Sequence, residues 1–250
     1  MKNFYKNGFT LAEVLITLGV IGVLAAVTIP NVVKSYQKRV TAKRLKVVFS
    51  QLSQAVKLEE AENCGIIDWD FRQSPYDLFN KYLKKHIKII KETSYNHLYN
   101  EGIRYKQISG NEISSLWVVR SPIGVYTTAN GTDLMLLKTS SSGSFENTKG
   151  LDIFIDINGI KNKPNQLGKD FFWIYINQSK AMPVYFAGTY STNEYTFKVE
   201  PNSDRDILLG KKNPKAGAEY YYQCNKNKTG AWCGMLIQVD GWKISDDYPW

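Results

Sequence analysis

Four groups of side chains in this sequence have types and spacings that could do chemistry. Glu13 is the one formal charge between positions 9 and 30, in a run that otherwise reads Phe-Thr-Leu-Ala before it and Val-Leu-Ile-Thr-Leu-Gly after it. A carboxylate inside an apolar span is costly, so it marks a functional residue in need of a partner. Asp156, Asn158, Asn165 and Asp170 supply four hard oxygen donors within fifteen residues, a set that suits Ca²⁺. The spacing is not that of an EF-hand, and no bidentate Glu closes the loop. A type I′ hairpin at Asn158-Gly159 followed by an Asx-stabilised turn is the simpler reading of the same residues. Cys224 and Cys233 enclose eight residues with Thr-Gly at the centre, the pattern of a disulfide closing a short hairpin loop in an oxidising compartment. Such a loop contributes about 2–3 kcal/mol by chain entropy. Cys64 is left over as a buried or free thiol, with a bond to Cys224 or Cys233 as the alternative. The last group is weak. His86 and His97 lie in no zinc-binding arrangement, and Asp68 and Asp70 flank Trp69 as loop acids commonly do without binding sugar or calcium. There is no Gly-rich phosphate loop or Gly-x-Ser-x-Gly elbow, so nothing argues for an enzyme.

The elements that must position these residues begin with a long helix. About 20 apolar residues suffice to cross a bilayer. Gly19 and Gly22 are three apart, which is not the Gly-x-x-x-Gly pattern. Pro30 should kink or locally melt the helix. Beyond it, Val33, Tyr36, Val40, Leu45, Val48, Leu52, Ala55 and Val56 recur near helical spacing, and Gly65 supplies a stop. A helix from 9 to 62 would be on the order of 80 Å long. Lys34, Lys38, Arg39, Lys43, Arg44 and Lys46 form a solvated face or a contact with anionic lipid.

Lys2, Lys6, Gly8, Phe9, Thr10, Leu11 and Glu13, followed by the unbroken apolar run to Pro30, resemble the class III signal of type IV pilins and type II secretion pseudopilins. The resemblance implies a prepilin peptidase that cuts between Gly8 and Phe9, then N-methylation of Phe9. A glycine there lets extended backbone enter a protease site unobstructed. Glu13 becomes the fifth residue of the mature chain, and its partner would be the Phe9 amine of a neighbouring subunit. Mutual neutralisation would offset the burial cost of both charges and fix the axial register of the helices. The alternative for Glu13 is a side chain that snorkels to the headgroups. A secretory signal cut near Ala25-Ala26 is the alternative for the segment, and it leaves Glu13 and the Gly8-Phe9 junction unexplained. Counted alone, the six cations after the span would place the domain in the cytoplasm; the resemblance places it outside, in a single-pass inner-membrane protein. It also implies other pilin or pseudopilin subunits, an inner-membrane assembly platform and membrane lipid as partners.

The remainder, residues 63–250, is long enough for one good core. Ser74-Pro75 starts a short helix over 76–84. The apolar strip Ile87, Ile89 and Ile90 is too short to assign. Strands are expected at 116–120, 125–128, 134–137, 151–157, 171–176, 184–187, 195–199 and 235–239, with Asn130-Gly131 as a hairpin turn. Residues 233–250 resemble the disulfide-bounded C-terminal region of pilin-like proteins; a last strand with a tucked aromatic tail is the plainer reading. The fold class expected is α+β: a leader (1–8), a membrane segment (9–30), an amphipathic helix (31–62) packed on an antiparallel sheet, and an insertion over 66–115. Four functions fit: a type IV pilus subunit, a secretion pseudopilin, a DNA-binding minor pilin permitted by the formal charge of +9, and a membrane-anchored binding domain that does not polymerise.

Overall fold

The long apolar run folds as helix α1 (Leu11–Glu62) in a computed structural model that describes residues 8–94, 100–113, 124–137, 150–178, 183–186, 205–212 and 222–250. The chain divides into two compact units after Val40. In the first unit, Leu15, Ile16, Leu18, Ile21, Val23, Leu24 and Val27 are all exposed. Its polar side chains turn back on the helix: the hydroxyls of Thr17 and Thr28 donate to the carbonyls of Val14 and Leu24, both at 2.9 Å. Such internal satisfaction is what a hydrocarbon setting demands. The helix runs through Pro30 without melting.

From Thr41 onward the same helix belongs to the second unit and changes character. Ala42, Leu45, Val48, Leu52, Ala55, Val56 and Glu59 are buried, a stripe recurring mostly at three and four residues. The stripe packs on one face of a six-stranded antiparallel sheet in the order β1-β2-β3-β4-β5-β6. The strands are β1 (Ile89–Ser94), β2 (Gly124–Thr128), β3 (Asp133–Leu137), β4 (Gly150–Asp156), β5 (Phe171–Asn177) and β6 (Val184–Phe186). Alternation decides the faces. Leu134, Leu136, Leu151, Ile153, Ile155, Phe172, Ile174 and Ile176 join the α1 core, whereas Val125, Met135, Phe154 and Phe171 form a second cluster with Tyr105 and Leu167. This is the α+β, pilin-like arrangement.

Between α1 and the sheet, α2 (Pro75–Leu78) continues as a π-turn over Phe79–Leu83 and a 3-10 turn over Lys84–His86. Ser74 caps α2 by accepting from the Asp77 amide at 3.1 Å. Asn130-Gly131 forms the expected β2–β3 turn, with Gly131 at φ +79°, where a side chain would be strained. After the sheet come α3 (Arg205–Leu208) and α4 (Cys233–Val239).

Two expectations are corrected. Residues 235–239 are helical, not a strand, because Met235-Leu236-Ile237 are consecutive apolar residues, all buried, and carry no period of two. The Cys224–Cys233 disulfide does form, but it closes a loop of turns that leads into α4 rather than a hairpin. Ile89 and Ile90 open the edge strand β1. The strands expected at 116–120 and 195–199, and His97, lie outside the described residues.

Candidate functional site

The amino-terminal junction lies open. Phe9 is 89% exposed, and a Cβ placed on Gly8 would meet nothing. Two residues on, the helix begins with a reciprocal cap. The Thr10 hydroxyl accepts from the Glu13 amide at 3.2 Å, and Glu13 Oε2 accepts from the Thr10 amide at 2.8 Å and its hydroxyl at 2.8 Å. This is a capping box, which satisfies otherwise unpaired donors at the helix start. The signal for this box is the Thr10-Leu-Ala-Glu13 spacing at the start of the apolar run. Within one chain, then, Glu13 already has a role: it caps its own helix.

The second place is the end of the sheet where the β2–β3 and β4–β5 connections meet. Asp156 ends β4 and stands opposite Asp133 across the β3–β4 ladder. Like charges in that position repel. The Tyr105 hydroxyl donates to Asp156 Oδ2 at 3.0 Å. The Asn158 amide donates to Asp156 Oδ1 at 3.3 Å. Asp170 receives the Asn165 and Gln166 amides at 2.8 and 2.7 Å and so ties off the far side of the loop. The Ile160 amide donates to Asp133 Oδ2 at 2.9 Å. Burial, joined by the nearby charges of Asp170 and Asp133, pushes the Asp156 carboxyl well above the usual carboxylate range. Burial also raises Asp170, against the pull of its backbone donors. The four oxygen donors singled out by spacing are therefore gathered around one loop. Asp133 and Tyr105 join them from distant positions. Their signal lies in strand register and chain crossing, which local spacing does not carry. The loop leans on the disulfide through Gly168 (φ +81°), where a Cβ would sit 2.8 Å from Cys233 Sγ.

A third cluster joins α1 to the turn after α2. Glu59, 3% exposed, places Oε2 2.7 Å from Lys85 Nζ and 2.9 Å from His86 Nε2, and Asn63 donates to Oε1 at 3.1 Å. Burial raises the Glu59 carboxyl, but Lys85 and His86 outweigh it and hold the group below its ordinary value. Glu59, Glu62 and His86 offer ligand atoms within 4.8 Å of one another. The Lys85 ammonium already sits on the shared carboxylate, so the cluster is an ion-paired clasp. Sequence could have flagged it, because Glu59 continues the buried stripe three residues after Val56 and must therefore find a partner.

The remaining candidates have ordinary roles. Asp70 pairs with Arg72 at 2.9 Å, and Trp69 is buried and stacked on Tyr82 with ring centroids 4.5 Å apart, so it offers no exposed platform for sugar. Asp247 pairs with Arg205 at 2.6 Å and Lys211 at 3.1 Å. Cys64 is a free thiol of intermediate burial.

An apolar amino-terminal helix that leads into an α+β domain with an antiparallel meander defines a membrane-anchored, pilin-like protein. Residues 3–29 match the prokaryotic N-terminal methylation motif, in agreement with the Gly8-Phe9 and Glu13 pattern. The chain belongs to a family of unknown function, DUF6613, whose match covers residues 31–250. No curated protein and no solved structure matches the chain significantly.

Proposed function

We propose that this protein is a structural subunit of a type IV pilus or a type II secretion pseudopilus. It is made as a precursor, cut between Gly8 and Phe9, methylated on Phe9 and assembled with like subunits. The membrane holds it by one span, with the domain outside the cytoplasm, where the disulfide persists. The observation that carries this reading is a methylation-motif helix whose apolar residues are exposed all round and which bears a single carboxylate, at the fifth mature position. An apolar surface of that extent needs lipid or other copies of itself to cover it. In the filament the Glu13 carboxylate meets the Phe9 amine of the next subunit.

The capping box dictates the test. Glu13→Gln keeps a capping residue at that position but removes the charge, whereas Glu13→Ala removes both. Both variants should insert in the membrane and fail to assemble, as scored by sheared filaments. Filaments formed by Glu13→Gln but not by Glu13→Ala would reduce Glu13 to a helix cap. Intact mass of protein from cells tests cleavage and methylation together.

A further inference from the structure

The acid-rich end of the sheet has charge and oxygen atoms left over. Asp133, Asp156 and Asp170 are each less than 9% exposed, and among the described residues no Lys, Arg or His forms an ion pair with any of them. Their hydrogen-bond donors are neutral, among them four backbone amides (Asn158, Ile160, Asn165, Gln166), the Tyr105 hydroxyl and the Asn158 side chain, which bonds Asp170. Neutral donors do not cancel carboxylate charge, so each buried acid here is stable only when a proton or a bound cation neutralises it.

Three buried side-chain oxygens near these acids also have no partner: Asp133 Oδ1, Asn158 Oδ1 and Asn165 Oδ1. Asp133 is 4% exposed and Asn165 is 7% exposed, so solvent does not satisfy them. Their orientation is fixed by the rest of each side chain. Asn165 Nδ2 donates to the Ile160 carbonyl at 3.0 Å, and Asn158 Nδ2 donates to the Asn162 carbonyl at 3.2 Å. Each amide thus directs its nitrogen to a loop carbonyl and turns its oxygen the other way. Asp133 uses its other oxygen to hold the Ile160 amide of the same loop. A proton on one carboxyl would satisfy at most one of these oxygens, whereas a cation takes several oxygen ligands at once.

We infer that this end of the sheet is a Ca²⁺ site. The ion is held by the carboxylates of Asp156 and Asp170 and the amide oxygens of Asn158 and Asn165, while Asp133, opposite Asp156, steadies the loop through the Ile160 amide. The donors are all hard oxygens, from carboxylate and amide groups on an irregular loop, which is calcium's preference; Mg²⁺ demands a stricter octahedron and retains more water. The site goes beyond the subunit role proposed above and does not depend on polymerisation. The ion would join the end of β4, the β4–β5 loop and, through Asp156, the Tyr105 segment.

The test uses the full-length protein in detergent micelles after chelator treatment, titrated with CaCl₂ by calorimetry and followed by thermal melting. The expected result is saturable binding of about one ion per chain, with a rise in Tm. Asp156→Asn should weaken binding by about tenfold or more, and Asn158→Ala should weaken it as well. If Asp156→Asn does not fold, Asn158→Ala, at the loop surface, decides alone. Asp70→Asn, which alters an exposed acid elsewhere, should bind as the unaltered protein does. No heat and no Tm change at millimolar Ca²⁺, full binding in Asn158→Ala, equal loss in Asp70→Asn, or equal affinity for Mg²⁺ would each overturn the assignment.

Discussion

The two faces of the sheet bury different chemistry. The face toward α1 presents Leu134, Leu136, Leu151, Ile153, Ile155, Phe172, Ile174 and Ile176. The opposite face sets Met135, Phe154 and Phe171 among Asp133, Asp152 and Asp156, and all six are buried. An apolar face is stabilised in proportion to the area it removes from water and is indifferent to pH. A buried carboxylate is stable only to the extent that something neutralises it. One face therefore anchors the sheet, while the other makes its stability depend on how its carboxyls are neutralised.

Substitutions can break or sharpen this contrast. The largest effect belongs to the apolar face. Phe172→Ala should cost about 3–5 kcal/mol in denaturant unfolding, equally in mildly acid and mildly alkaline buffer; a loss that varied steeply with pH would break the contrast. Cys224→Ser comes next, at about 2–3 kcal/mol, again flat with pH.

On the other face pH should matter. Burial pushes Asp152 up to about 7, with only the Trp173 indole, donating at 2.8 Å, pulling it down. Tyr175 and Tyr185 are the other titratable groups near it. Because the folded value lies above the unfolded one, the contribution is fully present below about pH 4 and is lost as pH rises through about 7. Asp152→Asn should remove that dependence, gaining on the order of 2 kcal/mol over the parent protein at about pH 8. Parallel pH curves for the two proteins would contradict it. The smallest effect sharpens the contrast from the α1 side. Glu59 is held below its ordinary value, so its contribution is present at neutral pH and lost as pH falls through the carboxylate range. Glu59→Gln should cost about 1 kcal/mol at neutral pH and nothing in acid, the opposite sign to Asp152→Asn.

Legibility in the sequence followed the same division. The α1 stripe, the Asn130-Gly131 turn and strands β2 to β5 could be read because their apolar residues keep a fixed period. Edge strand β1 could not, because only Ile89 and Thr93 are even half-covered and no alternation survives. Helix α4 carries no such signal, because a short, fully buried apolar run has no period to separate helix from strand. In the candidate cation loop, Asp156, Asn158, Asn165 and Asp170 stood out because one short segment carries them all. Asp133 and Tyr105 did not, since strand register and a returning chain bring them there. The pairing of Glu59 with Lys85 and His86 depends on where the turn after α2 comes to rest against α1, which no local pattern encodes.

The sheet order has one more implication. Every strand's neighbour in space is its neighbour in the chain, so successive connections alternate between opposite poles of the sheet. At the acid pole the connections are 4 and 14 residues long (129–132 and 157–170); at the other they are 29, 12 and 6 (95–123, 138–149 and 178–183). Length changes in the two shorter connections of the second pole leave every ladder in register, whereas the 29-residue one returns to the acid pole with Tyr105 and is held there. The second pole is therefore where chain length can vary at least cost, while the acid pole stays constrained by the groups it must reconcile.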